Sequence, residues 1–133
     1  RVFLYTQHKL KEKYGPEEDD WFGKGVPTII RQECSKEWEI HNRIDRPPNH
    51  LSFIHYSNIA RNNWTDFMEV FSLGEKDSSN KTKCLKWLVQ SNGFRQRTHH
   101  PEKNPLTSED IIVISELFTK VDKYFPKTDY YDV

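Results

Sequence analysis

The sequence predicts an all-α protein, and three observations carry that prediction. In several long segments the apolar residues recur at steps of three and four, the spacing that places them on one face of a helix. No segment alternates with the period of two that a half-buried strand needs, and no Asn-Gly or Asp-Gly hairpin turn is present. The chain has 133 residues, the length of one ordinary domain. We therefore predict a single compact bundle of about five helices over residues 1–133.

The first helix is predicted over residues 2–13, which carry apolar side chains among lysines and contain no helix breaker. Tyr14-Gly15-Pro16 ends this helix, because glycine and proline interrupt helical structure. We expect residues 17–20 to form an acidic loop and residues 21–26 to form a short turn rich in aromatic residues and glycine.

A second helix is predicted over residues 27–43, with Pro27 at the first position, where a helix tolerates proline best. Its apolar face combines four residues at helical spacing: Ile30, Cys34, Trp38 and His41. The adjacent prolines of Arg46-Pro47-Pro48-Asn49 cannot continue a helix, so residues 42–50 are predicted to be a loop.

The third helix, predicted over residues 57–71, is expected to be the most buried, with Ser57 or Asn58 as its N-cap. Its aromatic residues Trp64, Phe67 and Phe71 lie at helical spacing, and so does Trp87 in the next helix. We interpret these rings as core rather than as a platform for stacking bases. A polar linker over residues 74–80 follows the third helix.

The fourth helix is predicted over residues 81–98 and ends at His99-His100-Pro101. Thr107 opens the last helix with a capping box, because an acid, Asp110, follows three residues later. The apolar face of this helix is predicted to contain Ile111, Ile114, Phe118, Val121 and Phe125, and Pro126 ends it. The short polar tail, residues 127–133, is predicted to be frayed.

Composition bounds the class of protein. Charged residues make up 30% of the chain, hydrophobic residues 35% and aromatic residues 14%, and the formal net charge is zero. The chain therefore lacks the high net charge of a disordered protein, and its core should be small and aromatic, completed in part by a partner. Because neither a bilayer-spanning run nor a signal peptide is present, we expect a soluble intracellular protein without a membrane segment.

The two cysteines and the chain start add two expectations. Cys34 and Cys84 have neither C-x-x-C spacing nor histidines at metal-site intervals, so we expect two buried free thiols and no metal or other cofactor. The chain begins at Arg1, and the next residues look like the middle of an element. We therefore expect a fragment of a longer protein that carries further domains.

Several common catalytic classes lose support. The sequence contains no G-x-G-x-x-G or G-x-x-x-x-G-K phosphate loop, no G-x-S-x-G and no H-E-x-x-H, which disfavours nucleotide hydrolases, common hydrolases and zinc proteases. The charge is unevenly distributed, since residues 80–103 contain six lysine or arginine residues and one acid. Such a basic segment could contact a phosphate backbone, or it could be an evenly solvated face.

Arg95 is the candidate for chemistry in this segment. It continues the predicted stripe of Cys84, Leu88 and Ser91, so its guanidinium should point toward the packed face and need an anionic partner or a function there. His100 follows five residues later. This pair suits cleavage of RNA by attack of the 2′-hydroxyl, since one group moves a proton and the other neutralises developing charge. Because a chain of this composition contains about one such spacing by chance, only its setting favours it.

The residues Arg95-Gln96-Arg97-Thr98-His99-His100 resemble the R-x4–6-H motif of the HEPN superfamily of small helical domains. Four further segments are similar to the branch found in the nuclear mRNA-surveillance endonuclease and in bacterial defence proteins, and the resemblance as a whole extends over most of residues 3–125. These segments are Tyr14-Gly15, Trp21-Phe22-Gly23-Lys24-Gly25-Val26-Pro27, Asn63-Trp64-Thr65-Asp66-Phe67 and Asn104-Pro105-Leu106-Thr107-Ser108-Glu109-Asp110.

The resemblance implies a homodimer of helical bundles that cuts RNA without a metal ion, with the two motifs facing each other across the interface. In that interpretation Arg95 stabilises the phosphate, His100 acts in proton transfer or contacts the phosphate, and Gln96 supplies a hydrogen bond. Arg97, His99 and Lys86 are the expected additional RNA contacts. The parent protein would act in defence or in RNA quality control.

Two alternatives remain open at the level of sequence. The first is a catalytically silent HEPN-like module that binds RNA or a nucleotide, or that dimerises its parent protein. Gln96 favours this alternative, because active family members usually carry Asn, Asp or His at that position. The second is a helical adaptor without a nucleic-acid role, which would leave the basic segment unexplained.

Overall fold

The computed structural model describes residues 2–100 and 102–126, and every regular element in these ranges is helical. The all-α prediction is thereby confirmed for this part of the chain. The helices are, in chain order, α1 (Val2–Tyr14), α2 (Glu18–Gly25), α3 (Thr28–Ile40), a short 3-10 helix (Pro47–His50), α4 (His55–Asn62), α5 (Trp64–Phe71), α6 (Lys81–Cys84), α7 (Lys86–His99) and α8 (Ser108–Tyr124). The predicted tail, residues 127–133, lies outside the described residues.

The helix α2 replaces the acidic loop and aromatic turn predicted for residues 17–26, so that prediction is wrong. Three acids, at positions 18–20, occupy its first turn and interact favourably with the positive end of the helix dipole. Trp21, Phe22 and Gly25 are buried, because α2 packs against α1. Burial of this aromatic face outweighs the two glycines, which disfavour a helix in isolation.

The helix α3 is shorter than predicted and only partly buried. Pro27 is its N-cap rather than its first residue, and the helix ends at Ile40 because Asn42 and Arg43 adopt left-handed φ angles of 62° and 57°. On its predicted face Ile30 and Cys34 are buried, whereas Trp38 is half-buried and His41 is exposed. The predicted loop contains the 3-10 helix, which packs against α3.

A break at Asn63 divides the predicted third helix into α4 and α5. The Asn63 side chain is buried, donates from Nδ2 to the carbonyls of Gly25 and Ile59, and accepts a hydrogen bond of 2.6 Å from the Tyr14 hydroxyl. These bonds tie α1, α2 and α4 together at one point. Neither predicted N-cap is used, because the helix begins earlier, at His55, with Ile54 in the cap position.

The core is built from aromatic rings, as predicted. Tyr5, Phe71 and Phe125 are mutually in contact, with ring centroids 5.3 to 6.0 Å apart, and Phe67 and Trp87 pack around them. All five rings are buried, and Trp64 is buried beside them. Edge-to-face contacts of this kind add to the stabilisation from burial alone. Both cysteines are free and buried, which confirms the prediction for them.

The predicted fourth helix divides at Leu85 into α6 and α7, and α8 follows with the predicted capping box. Thr107 Oγ1 accepts from the backbone N–H of Asp110, whose carboxylate accepts from the backbone N–H of Thr107. The predicted apolar face of α8 is wrong at two positions, since Ile111 is 55% exposed and Phe118 is 74% exposed. The residues of α8 that pack against the core are Leu117, Val121 and Tyr124. No helix in the described ranges has the length and apolar character that crossing a membrane requires.

Candidate functional site

Arg95 lies on an accessible side of α7 rather than in the packed face that its spacing predicts. Its guanidinium carbon is 5.1 Å from the centre of the Phe53 ring, a cation–π arrangement. The long side chain reaches past the core, so the charge stays in contact with solvent while the aromatic ring covers one side of it. Within the described residues no carboxylate contacts Arg95. The guanidinium therefore keeps its hydrogen-bond donors available for a ligand.

Arg95 lines an open pocket of about 560 Å³ between α1, α7 and the segment before α4. One wall is apolar and aromatic, and the other is a polar strip of α7. The lining residues are Val2, Phe3, Leu51, Ser52, Phe53, Tyr56, Asn92, Arg95, Gln96 and His99. We call this cavity the Arg95 pocket. Aromatic rings beside a cation and amide groups provide the surfaces that stack bases and bind phosphate.

The two histidines of the predicted motif lie in different places. His99 follows Arg95 by four residues, so both project from the same side of α7 and line the same pocket. His100 is the C-cap of α7, and it does not line the pocket. Its Nδ1 is 3.8 Å from the carboxylate of Glu102. The structure thus places Gln96 and His99 with Arg95, and it does not bring His100 into that pocket.

Arg97 is engaged within the protein rather than presented to a ligand. Its Nη2 donates to the Asp110 carboxylate and to the Pro105 carbonyl, both at 2.7 Å, and its Nε donates to the Asn104 carbonyl. The bonds from Thr107 and from Arg97 hold the pKa of the Asp110 carboxyl below its usual value. Arg97 therefore joins the end of α7 to the start of α8, which positions the segment after His99.

Tyr56 and Phe53 are site residues that the sequence analysis missed. Burial raises the pKa of Tyr56 to about 12, although the nearby charge of Arg95 acts in the opposite direction. The phenol is therefore protonated at neutral pH and can donate a hydrogen bond. Neither residue carries a local sequence signal, because each reaches α7 only through the tertiary packing of α4 and the preceding segment.

Lys86, the remaining predicted RNA contact, lies at the opposite end of α7 from Arg95. It lines a second open groove together with Arg61 and Lys83. No group of three His, Cys, Asp or Glu side chains within residues 2–100 and 102–126 is arranged to hold a metal ion.

An apolar groove of about 350 Å³ separates α7 from α8. Arg95 lines this groove as well as the Arg95 pocket, so it lies at the border between them. The remaining lining residues are mainly apolar: Val2, Phe53, Trp87, Ser91, Phe94, Thr98, Ile114, Leu117, Phe118 and Val121. We call this cavity the apolar groove.

Comparison of the chain with protein-family models, with curated proteins and with solved structures yields no match. The class of the protein is therefore defined by its fold and its site: an all-α domain with an aromatic pocket around an exposed arginine. Its function has to be argued from the chemistry of that pocket.

Proposed function

We propose that this domain binds RNA in the Arg95 pocket and cleaves it without a metal ion. One observation carries the proposal: an exposed guanidinium, contacted by no described carboxylate, lies against an aromatic ring in an open pocket. An arginine in this setting can bind a phosphate through two hydrogen bonds while the neighbouring rings stack on bases.

In the proposed reaction the 2′-hydroxyl oxygen of a ribose attacks the adjacent phosphorus atom. The bond from phosphorus to the 5′-oxygen of the next nucleotide breaks, leaving a 2′,3′-cyclic phosphate and a free 5′-hydroxyl. Arg95 stabilises the negative charge that grows on the phosphate oxygens, and Gln96 donates a hydrogen bond to them. An imidazole takes the proton from the 2′-hydroxyl, and the leaving 5′-oxygen takes up a proton from the imidazolium so formed or from solvent water.

Two histidines compete for the proton-transfer role. Position favours His99, which lines the Arg95 pocket, whereas the resemblance to HEPN ribonucleases favours His100. Because His100 follows directly after α7, a modest change in the backbone at the helix end would move its side chain. Separate substitution of the two residues distinguishes the assignments.

A homodimer forms part of this proposal. The apolar groove and the exposed Ile111 and Phe118 leave one face of α8 uncovered, and such a face favours association. Since Arg95 borders the groove, a second copy bound there would lie close to the Arg95 pocket. The resemblance stated above also supports a place for this domain within a longer intracellular protein of RNA quality control or defence.

The test is cleavage of a labelled single-stranded RNA in the presence of EDTA. We expect Arg95→Ala to lower the cleavage rate by about a hundredfold or more, because it removes the charge that stabilises the transition state. His99→Ala and His100→Ala are compared at the same protein concentration, and the one that acts in proton transfer should lose about a hundredfold. His41→Ala is the matched control, since His41 is an exposed histidine at the C-terminal end of α3 and does not line the Arg95 pocket. Unchanged cleavage by Arg95→Ala would contradict the proposal.

A second candidate function is RNA binding without cleavage. The position of His100, outside the Arg95 pocket and near Glu102, favours it, because no second imidazole then faces His99. In that case the wild-type protein would bind RNA and leave it intact, and Arg95→Ala would weaken the binding. Measuring binding and cleavage on the same RNA separates the two functions.

A further inference from the structure

We propose that a second groove of this domain binds another phosphate of the same RNA strand. This groove lies between α4, α6 and the first turn of α7, and we call it the basic groove. The inference rests on the proposed function only in taking RNA as the ligand of the Arg95 pocket. It adds a subsite for the backbone of the strand, away from the cleaved bond.

The basic groove has the size and lining of a phosphate site. It is open, with a volume of about 550 Å³, and it combines three cations with hydroxyl and amide groups. Arg61 Nη2 donates to Thr82 Oγ1 at 3.3 Å, which holds the guanidinium across the groove between α4 and α6. The residues that line it are Ser57, Arg61, Asn80, Thr82, Lys83, Leu85, Lys86 and Val89.

The charges of the basic groove are only partly balanced by nearby acids. Lys83 is paired, with its Nζ 3.4 Å from the Glu75 carboxylate, and Asp77 lies close enough to interact with it electrostatically. Arg61 and Lys86 have no carboxylate within 4 Å among residues 2–100 and 102–126. Two unpaired cations facing one groove repel each other unless an anion lies between them. A phosphate supplies that anion and accepts hydrogen bonds from both side chains.

The basic groove and the Arg95 pocket lie on one seam, between α4 and α7. On α4 the consecutive residues Tyr56 and Ser57 line one cavity each. On α7 a row at steps of three, three and four connects them: Lys86, Val89, Asn92 and Gln96. Lys86 and Arg95 are nine residues apart in this helix, which corresponds to about 13 Å along its axis. A single strand covers that distance with a few nucleotides.

The experiment measures binding of non-cleavable RNAs of two lengths over a salt series. The probes are 2′-deoxy-substituted at the reacting position, and they contain two nucleotides or about twelve. The variant is Arg61→Gln combined with Lys86→Gln, and Lys36→Gln is the control, because Lys36 is an exposed cation of α3. Circular dichroism verifies that each variant is folded.

We expect the double variant to bind the longer RNA more weakly and to bind the dinucleotide as the wild type does. The slope of log K against log salt for the longer RNA should fall by about 0.7 for each phosphate contact that is lost. Equal slopes for the double variant, the Lys36→Gln control and the wild type would overturn the inference. A second result would also overturn the inference: the basic groove binds inorganic phosphate or a mononucleotide saturably, but the double variant binds the longer RNA as tightly as the wild type does.

The two proposals can fail separately. If the longer non-cleavable RNA is bound through the basic groove but the unmodified RNA of the same sequence is not cleaved, the ribonuclease activity is refuted and the subsite stands. If the RNA is cleaved in an Arg95-dependent way and the double variant binds it with unchanged affinity, the subsite is refuted and the ribonuclease stands.

Discussion

Arg95 and Arg97 are two residues apart on the same helix, yet their surroundings give them different roles. Arg95 lies over an aromatic ring, and its N–H groups are available to a ligand. Arg97 instead donates hydrogen bonds to Asp110 and to two backbone carbonyls. The difference follows from helical geometry, because neighbours two positions apart face opposite sides of a helix. A basic residue near a candidate site is therefore a ligand contact only if the fold leaves it unpaired.

Asp110→Asn should make the stability of the domain vary less with pH in the acidic range. The pKa of Asp110 is lowered in the folded state, so its stabilising contribution is present above the unfolded pKa of about 4 and is lost as the pH falls through the folded pKa. The wild type should melt at a higher temperature than Asp110→Asn at pH 7, and the difference should shrink as the pH falls below about 4. Thermal unfolding over a pH series measures this.

Glu109→Gln is the matched control for Asp110→Asn. It removes an acid from the same first turn of α8, but that acid makes no side-chain hydrogen bond with the described residues. For each variant, the difference in melting temperature from the wild type is compared across the pH series. If this difference changes with pH as much for Glu109→Gln as for Asp110→Asn, helix-dipole effects rather than the specific bonds are responsible.

At the scale of elements, the close packing of α1 against α2 determines which residues α2 can accept, and the local sequence does not reveal this. Gly25 ends α2 where this helix meets α1, and a Cβ at this position would lie 2.8 Å from Leu10 Cδ2 and 2.9 Å from Tyr14 Cδ2. Tyr14 is also held by its bond to Asn63. Gly23 in the same helix has open space around it. The two glycines therefore differ in what they contribute, although both lie in α2.

Gly25→Ala should destabilise the domain, by about 1–3 kcal/mol, because the added methyl group overpacks the contact between α1 and α2. Gly23→Ala should be neutral or should stabilise it by up to about 1 kcal/mol, since alanine loses less conformational freedom in a helix than glycine. Urea unfolding of both variants measures the free energies. Equal effects of the two substitutions would contradict the packing argument.

At the scale of the whole molecule, the described residues leave one side of the bundle, along α8, without a buried face. None of the seventeen residues of α8 is fully buried, and the residue that anchors this end of the chain to the core is Phe125, just after the helix. The apolar groove and the exposed part of α8 lie next to the Arg95 pocket. In the proposed homodimer the second copy covers this side, so that association and the candidate site depend on the same surface.

Phe118→Asp should convert the proposed dimer into a monomer without unfolding it. Phe118 is 74% exposed, so the substitution costs the isolated chain little, whereas a carboxylate in an apolar interface is strongly unfavourable. Sedimentation equilibrium over a concentration series measures the mass. Ile44→Asp, on the loop after α3, removes another exposed apolar residue and should leave the mass unchanged. A wild-type protein that is monomeric at all concentrations would contradict the prediction.

The sequence by itself determined the helical class, the aromatic core and the capping box of α8, because these depend on residue spacing and on contacts between near neighbours. It located Arg95 and Gln96 on one helix, with His99 at the predicted end of that helix, and identified the basic segment that contains Lys86. Only the tertiary structure decided what surrounds them. Phe53 and Tyr56 reach the Arg95 pocket, Asp110 engages Arg97, and Arg61 completes the basic groove through contacts between residues distant in sequence. The same long-range packing stabilised α2 and left α8 uncovered, since burial of a face depends on which other elements reach it.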